Sequence, residues 1–173
     1  MKKIIVVAAV IVCILSTLKS GAITIPKESI RFRVIANSNT QNDQNIKKEV
    51  VKNLESELRK IELVPKDILS TRTMIKRSIP TLEKSVENTL NKLNVQQDYS
   101  INYGMNYFPQ KESNNVIYEE GEYESVVIKL GEGKGDNFWC VLFPPLCLLE
   151  GEEGNNDDVE YTSFIKELIN KYF

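Results

Sequence analysis

The 173-residue sequence predicts an α+β domain with an antiparallel or mixed sheet of about four strands, two to three helices on one face of it, and a further C-terminal helix. Three observations carry that prediction. Apolar and polar residues alternate near residue 30 and again between residues 99 and 130, as in half-buried strands. Between those stretches the apolar residues recur every three or four positions, which puts them on one face of a helix. Near the end, a polar acidic run at residues 151–160 precedes a short amphipathic segment.

The chain opens with Met1, Lys2 and Lys3, an uninterrupted apolar run at residues 4–15, and the small residues Ser20, Gly21 and Ala22. A basic start, an apolar run shorter than the ~20 residues of a membrane span and a small-residue box is the order of an export signal. Residues 1–22 are therefore expected to be a signal peptide, with an uncleaved N-terminal anchor as the alternative. Either way the remainder is expected outside the cytoplasm. It divides into an α+β domain at residues 23–150, an acidic linker at 151–160 and a helix at 161–173.

The first strand comes from residues 30–37, where Ile30, Phe32, Val34 and Ala36 alternate with Arg31, Arg33, Ile35 and Asn37. Polar residues 37–43 then make a turn rich in helix-capping side chains. Ile46, Val50, Leu54, Leu58 and Ile61 form a helical stripe that should stop before Pro65. A second stripe runs from Ile68 to Leu93, and Pro80 within it predicts two helices, with the proline in the first turn of the second and Ser78 as its cap. Tyr99, Ile101, Tyr103, Met105 and Tyr107 alternate with polar residues as a strand, and further strands are expected at residues 116–118 and 123–130. A glycine-rich loop begins at Gly131.

Composition limits the chemistry. The chain has no histidine, which excludes Ser-His-Asp and Cys-His nucleophiles and histidine-bearing zinc sites. Its formal charge is −2, and loss of Lys2, Lys3 and Lys19 with the signal makes it more acidic, so nucleic acid is not an expected partner. Gly131, Gly133 and Gly135 follow a strand, but no Ser or Thr follows Lys134 as a phosphate loop needs; they are read as turn glycines, and no cofactor is expected. Glu119, Glu120, Glu122, Glu124, Asp136 and Glu150 could supply paired carboxylates for glycoside hydrolysis, yet nothing fixes two of them at a set separation, and a solvated acidic turn is the favoured reading.

Residues 131–147, GEGKGDNFWCVLFPPLC, concentrate glycines, aromatics, prolines and both cysteines of the expected mature chain. A structural disulfide between Cys140 and Cys147 is the leading reading, with free buried thiols as the alternative. Phe138, Trp139, Phe143, Pro144 and Pro145 fit a rigid docking surface, since aromatic anchors on a pre-ordered loop lose little entropy on binding. Core packing competes with that reading, above all for Trp139. Arg31 and Arg33 share a strand face and are candidates to receive a partner carboxylate, against an ordinary solvent face.

Two long motifs, RFRVIANSNTQNDQNIKKEV from Arg31 and GEYESVVIKLGEGKGDNFWCVLFPPLC from Gly121, resemble the stage II sporulation protein R family of endospore-forming bacteria. The resemblance covers residues 30–148. It implies a protein exported from the forespore into the space between the two spore membranes. There it would activate a membrane-embedded aspartic-type protease of the mother-cell membrane, which then processes the precursor of the early mother-cell sigma factor. No catalytic residue is implied for this chain, and membrane contact would run only through residues 1–22 if these are retained. A secreted cell-wall carbohydrate hydrolase, a protease inhibitor and a structural envelope protein stand as the alternatives.

Overall fold

The computed structural model describes residues 23–62, 67–113, 116–146, 167 and 169–172. Strands β1 (Ile23–Thr24) and β2 (Ile30–Ile35) come first, followed by helices α1 (Gln41–Glu62) and α2 (Ile68–Lys92). Strands β3 (Tyr99–Phe108), β4 (Lys111–Ser113), β5 (Val116–Tyr118), β6 (Gly121–Leu130) and β7 (Asn137–Phe143) complete the order. The main sheet has four strands in the order β3-β6-β2-β7; β2 runs parallel to β6 and antiparallel to β7, so the sheet is mixed. The architecture is α+β, as the periodicities require.

Both helices lie on one face of this sheet. Ile46, Val50, Leu54 and Leu58 of α1 and Ile75, Leu82, Val86 and Leu90 of α2 are buried against Phe32, Val34, Val126 and Ile128. Asp67 caps α2, its carboxylate accepting from Ser70 N at 2.8 Å. At the other end Asn94 takes a left-handed conformation (φ 54°), and Val95 N donates to Leu90 O. That is the usual way a helix satisfies its last carbonyls.

Pro80 does not split α2, contrary to the sequence expectation of two helices there. It stands on the exposed side of the helix, where the carbonyl left without a donor faces water. Ile75 before it and Leu82 and Val86 after it share one buried face, and that packing holds the helix continuous.

A second sheet, β1-β5-β4, was not legible as such, because its strands are two or three residues long. It covers the opposite face of the main sheet, enclosing a second cluster of Ile23, Ile25, Phe108, Val116, Tyr118, Tyr123, Trp139 and Val141. The face that carries Arg31 and Arg33 is thus an interior, where an ordinary solvent face was one of the two expectations. The expected signal at residues 1–22 and linker at 151–160 lie outside the described residues; of the C-terminal segment, residues 167 and 169–172 are helical. No helix among the described residues is long and apolar enough to cross a membrane.

Candidate functional site

Helix α1 begins where β2 ends, and the turn between them, Asn37 to Thr40, is locked to the glycine loop ahead of β7. Asn37 Oδ1 accepts from Glu132 N at 2.9 Å while its Nδ2 donates to Asp43 Oδ2 at 3.0 Å. Asn39 pairs both ways with Asp136, accepting from the backbone N at 2.6 Å and donating to Oδ1 at 3.3 Å. Lys134 N and Gly135 N donate to Asn37 O and Ala36 O at 3.0 and 2.9 Å. Lys47, nearly buried, donates from Nζ to Asp136 O at 2.9 Å and to Gln44 Oε1 at 2.6 Å, and burial pulls its pKa down. The Ser38 hydroxyl donates to Asp43, and that bond above all holds the carboxyl below its ordinary range.

Glycine is required here by contact as well as by conformation. A Cβ on Gly135 would lie 2.3 Å from Ser38 O, and one on Gly131, which has φ 54°, would lie 2.4 Å from Asn37 Oδ1. Two motifs almost a hundred residues apart therefore form one interlocked element, and its polar atoms are spent on each other.

From that element β7 carries the signature segment into the interior. Its register against β2, with Phe32 opposite Cys140 and Arg33 opposite Trp139, sends alternate side chains to opposite faces. Phe138 and Cys140 face the helices, Phe138 meeting Phe32 edge to face at 6.5 Å. Trp139, only 6% exposed, packs edge to face on Phe108 at 5.1 Å and Tyr118 at 5.9 Å. Phe143 and Pro144 are buried, with Tyr172 edge-on to Phe143 at 5.2 Å, and Pro145 is half-buried. Cys140 is disulfide-bonded; its expected partner Cys147 lies outside the described residues.

Arg31 is 0% exposed, and its guanidinium carbon lies over Tyr123, 3.3 Å from the ring centroid, with the Phe108 and Tyr118 centroids at 5.5 and 5.7 Å. Its NH1 donates to Glu119 O at 3.4 Å, whereas Nε and NH2 have no hydrogen-bond partner among the described residues. Burial lowers its pKa, but an arginine stays charged throughout the ordinary range. Cation–π attraction from three rings is what offsets the lost hydration. Arg33 is half-buried between Phe108 and Trp139 and donates to Tyr107 O at 3.4 Å. The predicted contact residues are thus brought to one strand pair and divided between its faces; Arg33, Phe138 and Pro145 keep some surface.

A cavity of about 660 Å³ opens beside this region, lined by Ile68, Arg72, Met105, Glu124, Phe143 and Tyr172 among others. On its wall Arg72 grips Glu124 with both Nε and NH2, at 2.8 to 3.0 Å, and the Tyr103 hydroxyl donates to the same carboxylate. Burial alone would raise the Glu124 pKa, yet donation from Arg72 and Tyr103 outweighs it and the net shift is downward. Burial and the bond to Glu124 push Tyr103 upward. Sequence reading missed this trio, since Arg72 and Glu124 lie 52 positions apart and only tertiary folding joins them. Of the other candidate carboxylates, Asp136 is tied into the loop, Glu119, Glu120 and Glu122 stand on an exposed turn or strand start, and Glu150 is outside the described residues. Among the described residues no acid or thiol cluster could hold a metal ion.

The family model described as stage II sporulation protein R matches residues 26–153. The chain is also similar to the stage II sporulation protein R of Bacillus subtilis (strain 168), 37% identical over 135 residues, which is 76% of this chain and 59% of that protein. The matched stretch thus spans less than two thirds of that relative. No solved structure matches.

Proposed function

Since the chain belongs to the stage II sporulation protein R family and so has its role in sporulation, we propose that it is an exported signal. In this reading residues 1–22 direct it from the forespore into the intermembrane space. There it activates a membrane-embedded aspartic-type protease, which processes the precursor of the early mother-cell sigma factor. The chain acts by docking and performs no catalysis of its own. Cys140 and Cys147 form the disulfide that closes the signature loop. Arg33 and Phe138 keep surface on opposite faces of the β2–β7 pair, and with Pro145 they make the receptor contacts around that edge of the sheet, while Arg31, Trp139, Phe143 and Pro144 hold them in place from within.

One observation carries the reading. Asn37, Asn39, Lys47 and Asp136 of the two motifs, with backbone groups of both, are consumed in joining the β2–α1 turn to the glycine loop, which supports a docking role for these motifs over a catalytic one. Hydrolysis by paired carboxylates lacks support of that kind, because Glu124, the candidate acid at the cavity, is held ionised by Arg72 and Tyr103. A general acid needs the opposite shift.

The test is complementation of an endospore former that lacks its own family member. Supplying the intact chain should restore spore formation, and placing charged residues within positions 4–15 should abolish the rescue while the protein is still made. Equal rescue by the non-exported form would overturn the proposal.

A further inference from the structure

The main sheet has two outer strands, and the fold treats them differently. β7 is buried along most of its length. β3 pairs with β6 from Tyr99 opposite Leu130 to Phe108 opposite Gly121 without a register break, and among the described residues no strand lies on its other side. Its outer edge is a row of backbone donors and acceptors that no strand among the described residues pairs. Such an edge templates the pairing of another strand, and proteins usually guard it with a charge, a proline or a bulge. β3 has none of these: its sequence is YSINYGMNYF. Met105 and Tyr107 on it are also 63% and 57% exposed, large apolar groups left uncovered on the helix-side face.

We propose that β3 is a self-association edge, pairing antiparallel with β3 of a second copy so that the sheet continues across a two-fold axis normal to it. The absence of charge on the strand suits a second copy, and the parity of the pairing fixes which residues would meet. A strand with no charged residue meets itself without a like-charge contact in any register. Two-fold antiparallel pairing also sets odd-numbered residues opposite odd ones and even opposite even. Met105 then faces Tyr99, Ile101 or Tyr103 of the second copy, apolar against apolar, while Ser100, Asn102 and Asn106 meet each other on the opposite face. Asn106 Nδ2 and Arg33 NH1 already donate to the carbonyls of Gly104 and Tyr107. A carbonyl oxygen accepts two hydrogen bonds, so neither contact closes the edge.

The experiment is sedimentation velocity on the exported protein up to roughly 100 µM, with backbone hydrogen exchange at low and high concentration. Wild-type protein should dimerise with concentration, and amides within residues 99–107 should slow in parallel. Met105→Lys and Asn102→Lys, both at exposed positions, should each weaken the dimer about tenfold or more by putting a charge into an edge pairing that otherwise has none. A monomer throughout the range, or a dimer that both lysines leave intact, would overturn the proposal. So would a chain that stays monomeric while β3 becomes protected only when membranes bearing the candidate protease are added.

Discussion

On the helix side of the main sheet the buried residues are mostly aliphatic, Val34, Val50, Leu54, Leu82, Val86 and Ile128 among them; on the other side Phe108, Tyr118, Tyr123 and Trp139 join the aliphatic residues and gather round a guanidinium. The helix side follows the period of its elements and needs nothing but apolar area. The aromatic side encloses Arg31 without a carboxylate partner among the described residues, and it depends on ring faces that stand in for water. A positively charged residue on a strand therefore does not mark a solvent face when aromatic residues of neighbouring strands converge on it.

The largest effects should come from deleting one large side chain on each side. Trp139→Ala and Leu54→Ala should each cost about 3–5 kcal/mol in chemical denaturation, because both leave cavities in buried clusters. A loss below about 1 kcal/mol for Trp139→Ala would show that the aromatic side is no core. Trp139 is also the single tryptophan, so its fluorescence reports that side while far-UV circular dichroism reports chiefly the helices. Coincident unfolding curves are expected; two separated transitions would divide the domain along its sheet.

Next come two substitutions at Arg31 that separate charge from volume. Arg31→Ala should cost about 3 kcal/mol through the cavity it opens. Arg31→Met, which keeps most of the volume and removes the buried charge, should lie within about 1 kcal/mol of wild type. Thermal melts of the pair decide the point, and equal losses would mean that the cation itself holds the aromatic side together.

Gly135→Ala sits where the motif element anchors both sides. With Ser38 O only 2.3 Å from the new Cβ, backbone must shift, and a loss of about 2 kcal/mol is expected by denaturant titration. The smallest effect belongs to the rim of the helix side, where Tyr103→Phe removes the hydroxyl bond to half-exposed Glu124 and should cost about 1 kcal/mol. Its pH dependence sharpens the assignment. Tyr103 has a raised folded-state pKa, so its contribution is full below the ordinary tyrosine range and is lost as pH rises through the folded value. Glu124, lowered, contributes above the ordinary carboxylate range and loses that contribution as pH falls. Stability measured against pH should therefore fall less steeply on the alkaline limb in Tyr103→Phe.

The helix side was the legible one. Ile46, Val50, Leu54 and Leu58 recur with the period of the element they form, and their burial needs no knowledge of a partner. Pro80 misled because a local rule about prolines was opposed by a face that continues through it from Ile75 to Leu82. On the aromatic side the signals were individually present, Phe108, Tyr118, Tyr123 and Trp139 each in a strand, but they converge only through register and through a small sheet whose strands are too short to show a period. The site was legible in its motifs and opaque in its geometry: the ANSNT and GEGKGD segments stood out, whereas nothing in either says that Asn39 and Asp136 bond to each other.

The most direct test of the functional account is reconstitution in a host that does not sporulate. The exported chain, the candidate membrane protease and the sigma-factor precursor are expressed together, then with the chain omitted and with the protease's catalytic aspartate replaced. The account predicts precursor cleavage only when both the chain and the intact aspartate are present. An uncut precursor despite verified export, or cleavage that continues without the protease, would contradict it.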